Sequence, residues 1–274
     1  MSEEFLMPLA LRLVVPLVAA LTCCGPGLAA DQFSEASLDG VGQVDDSGTL
    51  WAALSIRMQP HWKTYWRNPG DAGIPPRFDW SGSVNLKTAD IVWPAPQRFF
   101  DGYSNSIGYP APEVVLPLRI VPENPDRPVV LSLLLDYAVC EKICVPEQAE
   151  LSGFVRPQPA DPQAAEILGD ALDAVPAEAD AAVRPVITSV RLDPDGKALT
   201  VTLADTVPEA GLDLFAEGPQ GEPLLVPQRL EPASPVTFRV PLQSLADGQK
   251  APGTSYRFTV VWNGGSADAR APIE

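Results

Sequence analysis

Histidine is nearly absent: His61 is the one histidine in 274 residues. A Ser-His-Asp hydrolase, a Cys-His nucleophile or a multi-histidine metal site would each have to rest on that residue, which argues against all three. No glycine-rich loop follows a strand and opens a helix, so nucleotide chemistry has no phosphate cradle. Bases are few, with 19 Lys and Arg against 35 Asp and Glu and a formal net charge of −16. Such a surface repels phosphate backbones and excludes nucleic acid as a natural partner. The acidity is spread along the chain without blocks of like charge, so its plain role is solubility. Past the N-terminus no apolar run reaches the ~18 residues of a membrane span. Cysteine is scarce too, with four in the chain.

Proline is abundant, at 31 residues, which disfavours long helices and suits short strands punctuated by turns. "TLWAALSIRM" puts Leu50, Ala52, Leu54, Ile56 and Met58 on one side of a period-two pattern, a half-buried strand. Further strands are expected at 84–93, 113–120, 129–139 and 149–155, separated by proline and glycine clusters such as "NPGDAGIPP" and "PENPDRP". From Arg156 to Pro185 the composition shifts to Ala, Asp, Glu and Pro; residues 158–185 read as a linker, with a disordered spacer as the alternative to a short helix. Within it Asp161 caps and Pro162 opens a short helix, with Ile167, Leu168, Ala171 and Leu172 on one face. From 186 to 274 strands resume, beginning with two runs around "DPDG" and ending in "YRFTVVW", where Tyr256, Phe258, Val260 and Trp262 share a face. The fold class expected is all-β: two antiparallel sandwiches, 31–157 and 186–274, joined by the short helical or Pro/Ala-rich linker.

The first 30 residues read as a secretory signal peptide: Arg12, an apolar core from Leu13 to Leu21, and small residues at Ala29 and Ala30, with Met7 as an alternative start. The chain is therefore expected to be exported to the periplasm and not to span the membrane after cleavage. Thr22 and Cys23 are poor residues to precede a lipidated cysteine, so lipoprotein anchoring is not expected. Cleavage removes Cys23 and Cys24 and leaves Cys140 and Cys144 as the one pair in an oxidising compartment.

That pair lies in "DYAVCEKICVPEQAEL". As a staple it is weak: a ring of about five residues restrains the unfolded chain by only about 2 kcal/mol, against nearly 5 for a hundred-residue loop. Residues four apart on a regular helix hold their Cβ atoms about 5–6 Å apart, beyond the roughly 3.8 Å of a disulfide, so closure requires a turn or a distorted helical turn. Pro146 stops a helix from running through Cys144. Lys142 would stabilise a thiolate, with Glu141 partly cancelling it. The spacing leaves three readings open: a local structural disulfide, a soft Cu(I) site with a further ligand, and a redox-active pair.

The surroundings narrow the choice. "HWKTYWRNPGDAGIPPRFDW" (61–80), "IVWPAPQRFFDGYSNSIGYPAPEVVLPLRI" (91–120) and "LDYAVCEKICVPEQAEL" (135–151) together resemble the N-terminal periplasmic domain of the DsbD and ScsB family of thiol:disulfide interchange proteins. The resemblance covers roughly 32–155, and the tail from Val186 is more loosely similar to the extra β-domain of the ScsB branch. It implies an immunoglobulin-like sandwich whose cysteines pass electrons between a membrane-embedded thiol:disulfide transporter and thioredoxin-like exported proteins, with no dissociable cofactor and no metal. By position Cys144 matches the cysteine that forms the mixed disulfide and Cys140 the one that resolves it, although the spacing is shorter than in the DsbD type. The family's aromatic cap loop corresponds to "QRFFDGYSNSIGY", with Phe100 as first cap residue and Phe99 next; core packing is the other reading of both. Tyr65 and Trp66 are expected to line the same pocket, as core or rim. The resemblance also implies an association with cytochrome c biogenesis; the ScsB branch's association with copper tolerance keeps a copper-handling role in view beside a plain binding module. Members commonly continue into membrane and thioredoxin domains; neither follows here, so the chain is expected to be a stand-alone form or a piece, with its electron donor on another polypeptide.

Overall fold

A computed structural model describes residues 33–43, 49–100, 102–179, 186–231, 235–242 and 245–274. The expected signal peptide, with Cys23 and Cys24, lies outside the described residues.

Alternating apolar side chains build the first half. Strands β1 (Ser34–Gln43), β2 (Leu50–Met58), β3 (Lys63–Gly70), β4 (Arg77–Asp79) and β5 (Leu86–Ile91) are followed by β6 (Gln97–Phe100), β7 (Asn105–Pro110), β8 (Glu113–Pro122), β9 (Val129–Cys140) and β10 (Cys144–Val155). One sheet has the order β1-β2-β8-β5; the other runs β10-β9-β3-β7-β6, with β4 also paired to β9. Between them Leu50, Ala52, Leu54, Ile56 and Met58 from β2 meet Val129, Leu131, Leu133 and Leu135 from β9, all buried in one core. Burying such alternate side chains from two facing sheets is what drives a sandwich together. The all-β, immunoglobulin-like class expected from the sequence holds.

Two expectations shift. The last strand of this half begins at Cys144, not at 149. Pro146 does not end it, because β10 is an edge strand with β9 as its ladder partner, and an edge tolerates a missing donor. The helix α1 (Pro162–Asp173) forms as expected, with the Asp161 side chain accepting from the Gln163 and Ala164 amides. It is seated on the outer face of the β1-β2-β8 sheet, where Leu168 packs with Val41 and Ala53. Ile167, placed on the apolar face by periodicity, is instead exposed, since only the stripe through Leu168 and Ala171 meets the sheet.

Past the helix come β11 (Ala177–Glu178), β12 (Ile187–Leu192), β13 (Ala198–Leu203), β14 (Asp213–Glu217), β15 (Gln228–Leu230), β16 (Thr237–Pro241), β17 (Ser255–Trp262) and β18 (Gly265–Pro272). They form two four-stranded sheets, β11-β18-β17-β14 and β12-β13-β16-β15. The "DPDG" turn closes with the Gly196 amide donating to Asp193 O at 2.8 Å. Gly196 takes φ +67°, a region that favours glycine. Val201, Phe238, Val240, Tyr256, Phe258 and Val260 fill the core between the sheets.

Residues 33–274 pack as one unit. The seam runs along β3: Trp66 meets Phe215 edge to face at 5.9 Å, and the Asn68 amide donates to Ala216 O and Leu224 O. Arg67 clamps Glu217 with two hydrogen bonds of 2.8 Å. The strand that reaches the cysteines is thereby anchored in the second half.

Candidate redox site

Strands β9 and β10 form a hairpin in which Cys140 and Cys144 are direct cross-strand partners at the last rung, closed by Glu141, Lys142 and Ile143. Directly opposed antiparallel residues hold their Cα atoms about 4.5–5.5 Å apart, inside the range a disulfide spans. A hairpin turn, not a distorted helical turn, brings the sulfurs together. The two are free thiols in this structure, Cys140 buried and Cys144 exposed. The asymmetry follows from position: Cys140 ends a strand flanked on both sides by the sheet, and Cys144 begins the edge.

Tyr65 on β3 completes the group. It is buried with Ala138 and Cys140, and its hydroxyl lies 3.0 Å from Cys144 Sγ, where either atom can donate. Burial and the two neighbouring sulfurs push the phenol far above its ordinary value, so it keeps its proton. Its place is set by a short registry between β3 and β9, Lys63 opposite Cys140 and Thr64 opposite Val139, with Thr64 Oγ1 donating to Ala138 O at 2.9 Å. Gly108 on β7 lets β3 come this close, since a Cβ there would sit 1.9 Å from Thr64 O. Gly73, at φ +150°, lies flat against the Tyr65 ring, where a Cβ would meet ring carbons at 2.6 Å.

Burial, then the hydrogen bond with Cys144, pushes the Cys140 thiol up, while the Tyr65 hydrogen bond and the Lys63 charge pull it partly back. Lys142, the cation the sequence offers, is exposed at the hairpin tip. Lys63 is the cation that bears on Cys140, and sequence reasoning missed it. The signal was present in "HWKTYW", two residues before Tyr65, but its meaning depends on the β3–β9 registry.

Phe99 and Phe100 lie on β6. The Phe99 ring is half-buried with the Lys63 ammonium 5.4 Å from its centroid, so it reaches the cysteines through that lysine. Phe100 is 69% exposed. Trp66 is not brought to the site: it is buried in the sandwich core, beside Phe215 and under the Arg67 guanidinium. His61 is exposed on the β2–β3 turn at φ 73°. Among the described residues no group of three His, Cys, Asp or Glu side chains could hold a metal ion.

Residues 36–156 match the family model described as thiol:disulfide interchange protein DsbD, N-terminal. That stretch is similar to a DsbD N-terminal domain. The fold of the longer chain is similar to the crystal structure of the N-terminal periplasmic domain of ScsB from Proteus mirabilis. The TM-score is 0.67 at 23% identity, over 89% of this chain and 94% of that one. A biofilm associated protein BSP domain also aligns, at TM-score 0.21 and 10% identity over 88% of this chain and 51% of that one, too low to carry argument. No curated protein matches the chain. None of the described helices is long and apolar enough to cross a membrane.

Proposed function

We propose that this chain is a periplasmic thiol:disulfide exchange protein that relays electrons through Cys140 and Cys144 between a membrane-embedded thiol:disulfide transporter and thioredoxin-like exported partners. The observation that carries the reading is the pairing of an exposed sulfur, Cys144, with a buried cross-strand sulfur, Cys140, beside the Tyr65 hydroxyl. In the donating direction the Cys144 thiolate attacks one sulfur of a partner's disulfide. A mixed disulfide forms and the partner's other sulfur leaves as a thiolate. Cys140 then loses its proton and attacks Cys144 Sγ, expelling the partner's remaining sulfur. The partner ends as a dithiol and this protein as a Cys140–Cys144 disulfide, two electrons having passed. The membrane transporter reverses the step by reducing that disulfide. Cys140, with its ionisation pushed up, stays a thiol until the mixed disulfide forms, which suits a resolving residue. Phe99 and Phe100, on the neighbouring hairpin, would shield the pair from small thiols until a partner docks.

The test is trapping. Cys140→Ser expressed in the periplasm should accumulate proteins disulfide-linked to Cys144, separable by mass on non-reducing gels. Recovery of no covalent partner would sink the proposal, as would a reduction potential far below about −300 mV, the range of a purely structural disulfide.

A further inference from the structure

Between the two halves lies a cleft of about 710 Å³, within the ~300–1,000 Å³ of small-molecule sites. The β6–β7 hairpin supplies one wall through Arg98 and Asn105, and the second half supplies Lys197, Gln228, Arg239 and Lys250. Four cations in one cleft are a departure for a chain with 19 Lys and Arg and a net charge of −16. Their engagements differ. Arg98 is committed to the seam, donating to Asp213 through Nε and Nη2 and to Pro227 O through Nη1 at 2.9 Å. Arg239 gives its Nε to Asp193 at 3.0 Å. Neither aspartate lines the cleft. The carboxylate that does, Asp71, is already occupied by the Val226 amide at 3.0 Å and by Asn105 at 3.3 Å. Lys197 is exposed, and no described carboxylate pairs with it. Gln228 and Arg239 are cross-strand neighbours on β15 and β16, which places an amide beside a guanidinium on the same wall. Val226 and Leu242 add apolar floor.

We propose that this cleft is an anion-binding site for a small molecule or ion bearing two or more carboxylate or phosphate groups. Lys197 supplies a point charge, Arg239 and Gln228 supply directed donors, and the cleft walls focus the field onto the bound anion. The anion would bridge the two halves.

The full chain is titrated by calorimetry with sodium citrate and, separately, sodium pyrophosphate, at matched ionic strength. Saturable one-to-one binding of either is expected, citrate identifying carboxylates and pyrophosphate identifying phosphates as the preferred groups. Lys197→Ala should weaken it about tenfold and Lys197→Glu should remove it. Lys197 is exposed, so melting curves of both variants should overlay the parent. Absence of saturable binding by both anions overturns the proposal, and so does an affinity unchanged in folded Lys197→Glu.

Discussion

Tyr65 Oη and Cys144 Sγ, 3.0 Å apart, form the contact most open to a single-atom change. Because the phenol keeps its proton, it donates to the sulfur whenever Cys144 is a thiolate, and a hydrogen bond to a charged group is worth about 1.5–3 kcal/mol. Tyr65→Phe should therefore slow alkylation of Cys144 at neutral pH about tenfold or more, read by mass spectrometry after iodoacetamide pulses; an unchanged rate would remove Tyr65 from the chemistry. Lys63 makes a separate claim. In a Cys144→Ala background, Lys63→Gln should move the Cys140 ionisation further up, read by thiolate absorbance, and Lys63→Arg should restore it. The cysteines stood out in the sequence because past residue 30 Cys140 and Cys144 are the two cysteines it holds. Tyr65 was legible by resemblance. Lys63 was not, nor the choice of core over rim for Trp66, because β3 is buried at Thr64, Tyr65 and Trp66 in succession. Where both faces of a strand are covered, period-two alternation no longer tells which side chain faces which neighbour.

The β9–β10 hairpin is held to β1 by a polar knot. Ser34 Oγ donates to Glu147 Oε2 at 2.7 Å, Tyr137 Oη donates to the same oxygen at 3.0 Å, and the two hydroxyls lie 2.8 Å apart. Tyr137 and Glu147 are themselves cross-strand partners. Burial, with the Glu147 charge adding to it, pushes the Tyr137 phenol up to about 12, against the ordinary 10.0. Its folded value is raised, so the folded state holds the proton that the unfolded chain releases near pH 10. The stability it contributes is fully present below pH 10 and is lost as pH climbs towards about 12. Allowing for solvent screening, the parent should lose about 1–2 kcal/mol more than Tyr137→Phe across that window in urea unfolding. Equal losses would mean that Tyr137 does not titrate as a buried phenol. This hairpin is also the element that sequence reading foreshortened. The long strands β2, β8 and β9 were visible in their apolar alternation, but "CVPEQ" carries little apolar signal, and its proline reads as a stop unless the strand is known to be an edge.

Across the whole molecule, the two halves of the β protein share one seam, and β3 belongs to both. Sequence showed two sets of strands but not this seam, because Phe215 and Val226 look like core residues of the second half while they pack into the first. At its centre the Arg67–Glu217 pair is bidentate, with side-chain exposures of 18% and 6%, and the guanidinium also stacks on Trp66 with its carbon 4.0 Å from the ring centroid. Removing one partner of a buried pair leaves the other charge without compensation, about 3–5 kcal/mol. Arg67→Ala should destabilise by that amount in equilibrium denaturation. Arg67→Lys should recover only part of it, because an ammonium matches neither the two-point geometry nor the stacking. Replacing both partners, Arg67→Met with Glu217→Leu, should recover most of the loss, since the charge left unpaired in the single variant is gone. If Arg67→Ala unfolds at the parent's midpoint, the clamp is not what joins the halves, and the seam is held by its other contacts: Trp66 with Phe215, the Asn68 amide, Arg98 with Asp213 and Asp71 with the Val226 amide.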